Sequence, residues 1–138
     1  MHRVFIYFIL SIALAAALLA FPALASAATY YVATTGSDSR SCSEAQNIFT
    51  PRQTLAGGVA CLSGGDTLLL RAGVYTATVF GNSIPNGTSW LSATTLKNYQ
   101  NEKVELVPLG DNTVLEFDKK RYIIIDGFIL KDGYDGIK

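Results

Sequence analysis

Hydrophobic and polar positions divide the chain into two unlike parts. After the basic start Met1-His2-Arg3, residues Val4 to Ala20 are almost wholly apolar, and Pro22 precedes the small-residue triplet Ala25-Ser26-Ala27. A basic start, an apolar stretch and an A-x-A site predict a secretory signal peptide over residues 1–27, cut after Ala27. The competing reading is an uncleaved membrane anchor, because the run approaches spanning length. Beyond it the pattern is of short elements. Thr29 to Val32 reads as a strand, and Thr35 to Ser43 as a polar loop. Thr50, Pro51 and Gln53 suit an N-cap, a first helical position and the third residue of a capping box. Leu55, Val59 and Leu62 then recur at helical spacing, so the pattern predicts a helix over Gln53–Leu62. Gly57-Gly58 inside that helix suggests a close approach to another backbone.

Gly64-Gly65-Asp66 ends the helix, and Thr67 to Arg71 is a short apolar run suited to a strand buried on both sides. Ala72 to Tyr75 reads as a turn. Strands are expected at Thr76–Phe80, Thr94–Tyr99, Val104–Val107, Val114–Phe117, Tyr122–Ile125 and Phe128–Leu130, separated by Gly, Asn, Asp and Pro clusters. No amphipathic helix lies between these strands, which excludes a doubly wound α/β fold. A sandwich, a barrel and a β-solenoid remain. Tyr122-Ile123-Ile124-Ile125 is apolar at every position, and that favours a stacked parallel coil over a strand with one wet face. No clean internal repeat accompanies it.

Several of these pieces resemble the secreted right-handed parallel β-helix proteins of the pectate-lyase-like superfamily. They are Tyr30-Tyr31-Val32 with Gly36-Ser37-Asp38, the helix, Gly65-Asp66-Thr67-Leu68-Leu69-Leu70 with Gly73 and Tyr75, and Tyr122 to Phe128. The resemblance implies an all-β fold, a right-handed parallel β-helix (solenoid) with an N-terminal capping α-helix. Residues 28–66 would form the first strand, loop and capping helix, and 67–138 the first coils. It implies an exported protein acting on or binding acidic polysaccharide, by lyase-type β-elimination in the intact protein. The same solenoid also serves non-catalytic adhesins. Lys138 falls where a further strand would begin, so the expectation is a fragment, a truncated product without activity of its own, or an N-terminal module; a complete protein is expected to be a monomer.

In such lyases an Arg or Lys removes the proton α to a uronate carboxylate that calcium or basic groups neutralise. The residues available are Lys119, Lys120, Arg121, Asp126, Asp132 and Asp135, all of which read first as solvated turns. They lack calcium-loop spacing, so no catalytic residue and no calcium site is assigned within this chain.

Composition narrows the rest. The chain has 11 basic and 11 acidic residues; without Arg3 the basic count is 10, a net charge of −1. The mean hydropathy of +0.28 is inflated by the leader. No basic stripe is present, which argues against nucleic acid and against a charge-driven membrane partner. The chain's one histidine, His2, lies in the leader, so the mature part has neither a serine–histidine triad nor a histidine-held metal. Cys42 and Cys61 are the only cysteines, and an even count in an exported chain suggests a disulfide; two free buried thiols are the alternative. Asn86-Gly87-Thr88 is formally a glycosylation sequon and reads as a surface turn. Trp90 and Tyr99 are the candidate carbohydrate contacts, with packing on a coil edge as the plainer reading. The expected localisation is secreted or extracytoplasmic.

Overall fold

The computed structural model describes residues 26–76, 79–80, 83–110 and 112–137; the expected leader, up to residue 25, lies outside them. Among the described residues are nine strands: β1 (Thr29–Val32), β2 (Thr67–Leu70), β3 (Gly73–Thr76), β4 (Val79–Phe80), β5 (Thr94–Asn98), β6 (Val104–Val107), β7 (Leu115–Glu116), β8 (Ile123–Asp126) and β9 (Phe128–Leu130). They form three sheets, ordered β1-β2-β5-β8, β3-β6-β9 and β4-β7. Every pairing between these strands is parallel. The chain passes from the first sheet to the second and third, then returns to the first one strand further on. The fold is therefore mostly β, with parallel sheets and little helix, and the sandwich of antiparallel strands is excluded.

Alternation along each strand decides which side chains meet. On the first sheet Tyr30, Leu68, Leu96 and Ile125 lie in register. The first three are buried, and Ile125 packs against the same core. On the second sheet Tyr75, Leu106 and Leu130 form one inward row, and Gly73, Val104 and Phe128 the next. Val114 and Leu115 close the core from the third side. Each fully buried Leu or Val adds roughly 1.5–3 kcal/mol relative to exposure. Facing outward, Val74 and Ile129 are exposed, as is Ile124 at 38%. This corrects the expectation that Tyr122–Ile125 is buried at every position. The inner residues Ile123 and Ile125 pack on the core, while Ile124 on the outer face of β8 is exposed. The reading of Thr67–Arg71 as a strand buried on both sides is corrected likewise, since only Leu68 and Leu70 of β2 are buried and Leu69 on the outer face is partly exposed.

The helix also differs from the pattern-based reading. It is a single short α1, Leu55–Val59, and Thr54 is its N-cap, accepting a 2.9 Å hydrogen bond from the Gly57 amide. Thr50 instead donates its hydroxyl to the Glu44 carbonyl at 2.7 Å. The segment between is occupied by pairing with β1. The Arg52 amide donates to the Tyr31 carbonyl and the Ala33 amide to the Arg52 carbonyl, at 3.0 and 2.9 Å. A backbone used in that way cannot begin a helix, so the capping box at Thr50 and Gln53 does not form.

Asp38 completes the start of α1. Its carboxylate accepts from the Gln53 amide at 2.9 Å, the Thr54 amide at 3.1 Å and the Thr54 hydroxyl at 2.7 Å. A side chain at Gly57 would strike this carboxylate, and one at Gly58 would strike Val32 and Leu68. The two glycines thus make room for side chains, rather than for another backbone as the pattern suggested. Leu55 and Val59 are buried, and α1 and the 3-10 turn Glu44–Gln46 each pack against β1.

The expected turn at Ala72–Tyr75 is also displaced. Gly73 to Tyr75 belongs to β3, and the corner sits at Arg71-Ala72. Glu102 builds it, bonding the Arg71 guanidinium at 2.9 Å and the Ala72 amide at 2.6 Å. The Tyr75 hydroxyl donates to the Arg71 carbonyl at 2.8 Å, and burial pushes its phenol up to about 12.

Cys42 and Cys61 form a disulfide, with Cα atoms 5.3 Å apart. It ties the polar loop to the residue two places beyond α1. Replacing both cysteines by serine should lower stability by about 3 kcal/mol, as expected for a loop of this length; urea denaturation with and without the bridge measures it. Burial pushes the Asp38 carboxyl up, but the Thr54 hydroxyl, the two amides and Arg52 outweigh it and hold the group below its ordinary value. A depressed carboxyl contributes stability above its unfolded value, and that contribution is lost as pH falls through the folded one. Asp38→Asn should therefore flatten the melting-temperature profile below about pH 4. At neutral pH it should cost about 1 kcal/mol, the net worth of one hydrogen bond, because an Asn amide nitrogen cannot accept from the Thr54 hydroxyl.

Candidate functional site

The outward row of the first sheet carries hydroxyls. Thr29, Thr67 and Thr95 stand in register, with Ile124 next. A tight turn rises beside this row. The Thr88 amide donates to the Ser92 carbonyl and the Ser92 amide to the Ser89 carbonyl, both at 3.1 Å. This places Trp90 and Leu91 at the tip, 69% and 100% exposed.

The following pass of the chain holds the turn in place. The Gly87 amide donates to the Arg121 carbonyl, the Thr94 amide to the Tyr122 carbonyl, and the Arg121 amide to the Asn86 side chain. Gly87 is required because a Cβ there would collide with the carbonyls of Ser92 and Tyr122. The Trp90 ring meets the Tyr122 ring edge-on, centroids 5.4 Å apart and planes at 90°. That contact holds the indole upright and leaves much of it open.

Between this turn and the turn before β2 lies an open groove of about 670 Å³, lined in part by Ser63, Asp66, Thr67, Trp90, Ser92 and Thr95. Asp66 is 5% exposed, and its two oxygens accept from the amides of Ala28 and Ser63, each at 2.7 Å. Its own carbonyl accepts from the Thr95 amide, which couples the groove floor to the sheet. Hydroxyls that both donate and accept, beside an aromatic body, suit a ligand with hydroxyls and C–H faces.

Tyr99 is not part of this groove. It lies beyond the far end of β5, edge-on to Tyr31 at 6.0 Å and under the Arg71 guanidinium at 5.1 Å. Trp90 and Tyr99 therefore flank opposite ends of one strand and do not form a shared platform. Arg71 is also paired with Glu102. That bond holds the Glu102 carboxyl below its ordinary value, against burial, and raises the guanidinium.

The charged residues considered for lyase chemistry are dispersed. Lys120 donates to the Ile84 carbonyl at 2.7 Å, and Lys119 and Asp132 occupy left-handed turn positions. Asp126 ends β8, and the Asp135 backbone carbonyl accepts from Val114. Among the described residues no three His, Cys, Asp or Glu side chains cluster as a metal ion would require. Sequence reasoning missed Asp66, Thr67, Ser92 and Thr95 as a group, since only the strand register brings them together.

No family model matches the chain, and no curated protein matches it. Among solved structures, "The complex structure of XylC with xylose" is similar, with 29% identity and a TM-score of 0.49. The match covers 57% of this chain and 11% of that one. A likeness of this extent assigns neither a family nor a ligand here.

Because Tyr122 is the aromatic partner of Trp90 among the described residues, Trp90→Ala should cost about 1 kcal/mol or less, the worth of one edge-on pair. A denaturant midpoint close to that of the parent confirms that the indole is not a core residue.

Proposed function

We propose that the chain forms coils of an exported right-handed parallel β-helix protein whose outer face binds polysaccharide at the groove beside Trp90. The observation that carries this reading is the exposed indole, propped by Tyr122 over a floor of threonine and serine hydroxyls. The solenoid reading is supported by a chain that visits the three sheets in fixed order and returns one strand along, always parallel. Crossovers between parallel strands are right-handed in nearly all proteins. The Cys42–Cys61 disulfide accords with an oxidising compartment.

The groove offers binding rather than reaction. Among the described residues its lining holds Asp66 but no Lys or Arg, so these residues supply neither the basic group that β-elimination uses nor a cation to neutralise a uronate. The reading it supports is a non-catalytic surface that takes uncharged sugar segments. An acidic polysaccharide, and a lyase acting on it, would need groups from other parts of the protein.

Trp90 is the chain's single tryptophan, so its fluorescence reports the groove directly. Titration with a neutral plant-type glycan should shift and enhance the emission, and pectate should do so less. By calorimetry Trp90→Ala should weaken glycan binding about tenfold or more, within the range of a lost aromatic anchor. Absence of binding to both polymers, or full binding by the variant, contradicts the proposal.

A further inference from the structure

Asp66 is a buried carboxylate with no cation beside it among the described residues. Among the described residues its side chain accepts from two backbone amides, those of Ser63 and Ala28. The lining of the surrounding groove includes residues of β1, β2, the turn before β2, the Trp90 turn and β8. Asp66 and Tyr30 are the titratable side chains of that lining, which contains no Lys, Arg or Glu. A carboxylate taken out of water is costly without an opposite charge. One of its two partners, the Ala28 nitrogen, is the atom that cleavage after Ala27 would release.

We infer that Asp66 is a docking site for the mature amino terminus, completed when the leader is removed at Ala27–Ala28. The hydrolysis adds water across that amide. The C–N bond breaks, Ala27 departs as a carboxylate, and the Ala28 nitrogen becomes an ammonium. The nitrogen already stands 2.7 Å from Oδ1 of Asp66. The Ala28 carbonyl is held in turn by the Thr67 amide at 2.9 Å. Cleavage thus converts a bond from a neutral amide to a carboxylate into an ammonium–carboxylate ion pair, with both partners already in place. It also removes Ser26 and Ala27, which line the same groove. Processing would therefore pin the edge strand β1 and widen the groove in one event.

This inference rests on the export reading, and the test separates the two. The full chain is secreted through its own leader, and its first residue is determined by mass spectrometry. A start at Ala28 is expected; any other start overturns the inference, while the sugar-binding reading of the groove stands or falls by its own titration. The α-amine of the mature protein is then titrated by NMR after isotopic methylation. An unperturbed α-amine titrates near 7.7–8.0. Docking should raise it by about one unit or more, and Asp66→Asn should return it to the ordinary range.

A raised amine contributes stability that is present below its unfolded value and lost as pH rises through the folded one. The melting temperature of the mature chain should therefore fall between about pH 8 and 10. Chain acetylated at Ala28 should lack that fall, which keeps the test open if Asp66→Asn does not fold. An ordinary amine titration in the parent, or the same fall after acetylation, overturns the inference.

Discussion

The parallel register of β1, β2, β5 and β8 is the constraint on which the rest depends. Side chains alternate between faces, so a slip of one residue would move Leu68 and Leu96 from the core to the surface. The same slip would turn Thr67 and Thr95 inward, leaving hydroxyls buried among apolar groups. Core and groove are thus two faces of one register. The apolar rows hold the strands in place, and the outward row receives its hydroxyls as a consequence.

Stacking of this kind leaves the corners to be solved by polar groups, and carboxylates solve several of them. Glu102 gathers Arg71 and the Ala72 amide where the chain leaves the first sheet. Asp38 gathers Gln53 and Thr54 at the start of α1. Asp66 gathers Ala28 and Ser63 at the entrance to β2. The first two have an arginine beside them, and Asp66 does not. On the outer face of the second sheet Glu105 plays a looser part, paired with Lys103 and Lys131 where the surface is wet. Asn98 closes the inward side of the first sheet above Gly127, where a larger residue would strike its amide. Its own amide donates to the Glu102 carbonyl, which joins the core to the Arg71 corner.

What could be read from the sequence was local. Short apolar runs between turn residues located most strands, because each run carries its own alternation and its own boundaries. The pairing of Cys42 with Cys61 followed from an even count in a chain expected to be exported, and the bond is present. The start of the helix was misread for a physical reason. Thr50, Pro51 and Gln53 form a good local capping pattern, but β1 claims the backbone of Arg52 from a distance. Gly73 looked like a turn residue, and Glu102, some thirty positions away, moves the corner to Ala72. The groove was illegible for the same cause. Thr67, Ser92 and Thr95 have nothing in common until the register places them side by side, whereas Trp90 announced itself as an aromatic in a polar loop.

The central claim is that successive passes of the chain stack in parallel with a fixed register, and spin labels can test it directly. Val74 and Ile129 are both exposed, and they occupy the same outward row two strands apart, with Glu105 between them. Nitroxides at these two positions should lie about 10 Å apart at the backbone, twice the strand spacing, and should show strong dipolar broadening of the continuous-wave spectrum. A doubly labelled chain whose spectrum equals the sum of the two single labels would contradict the account.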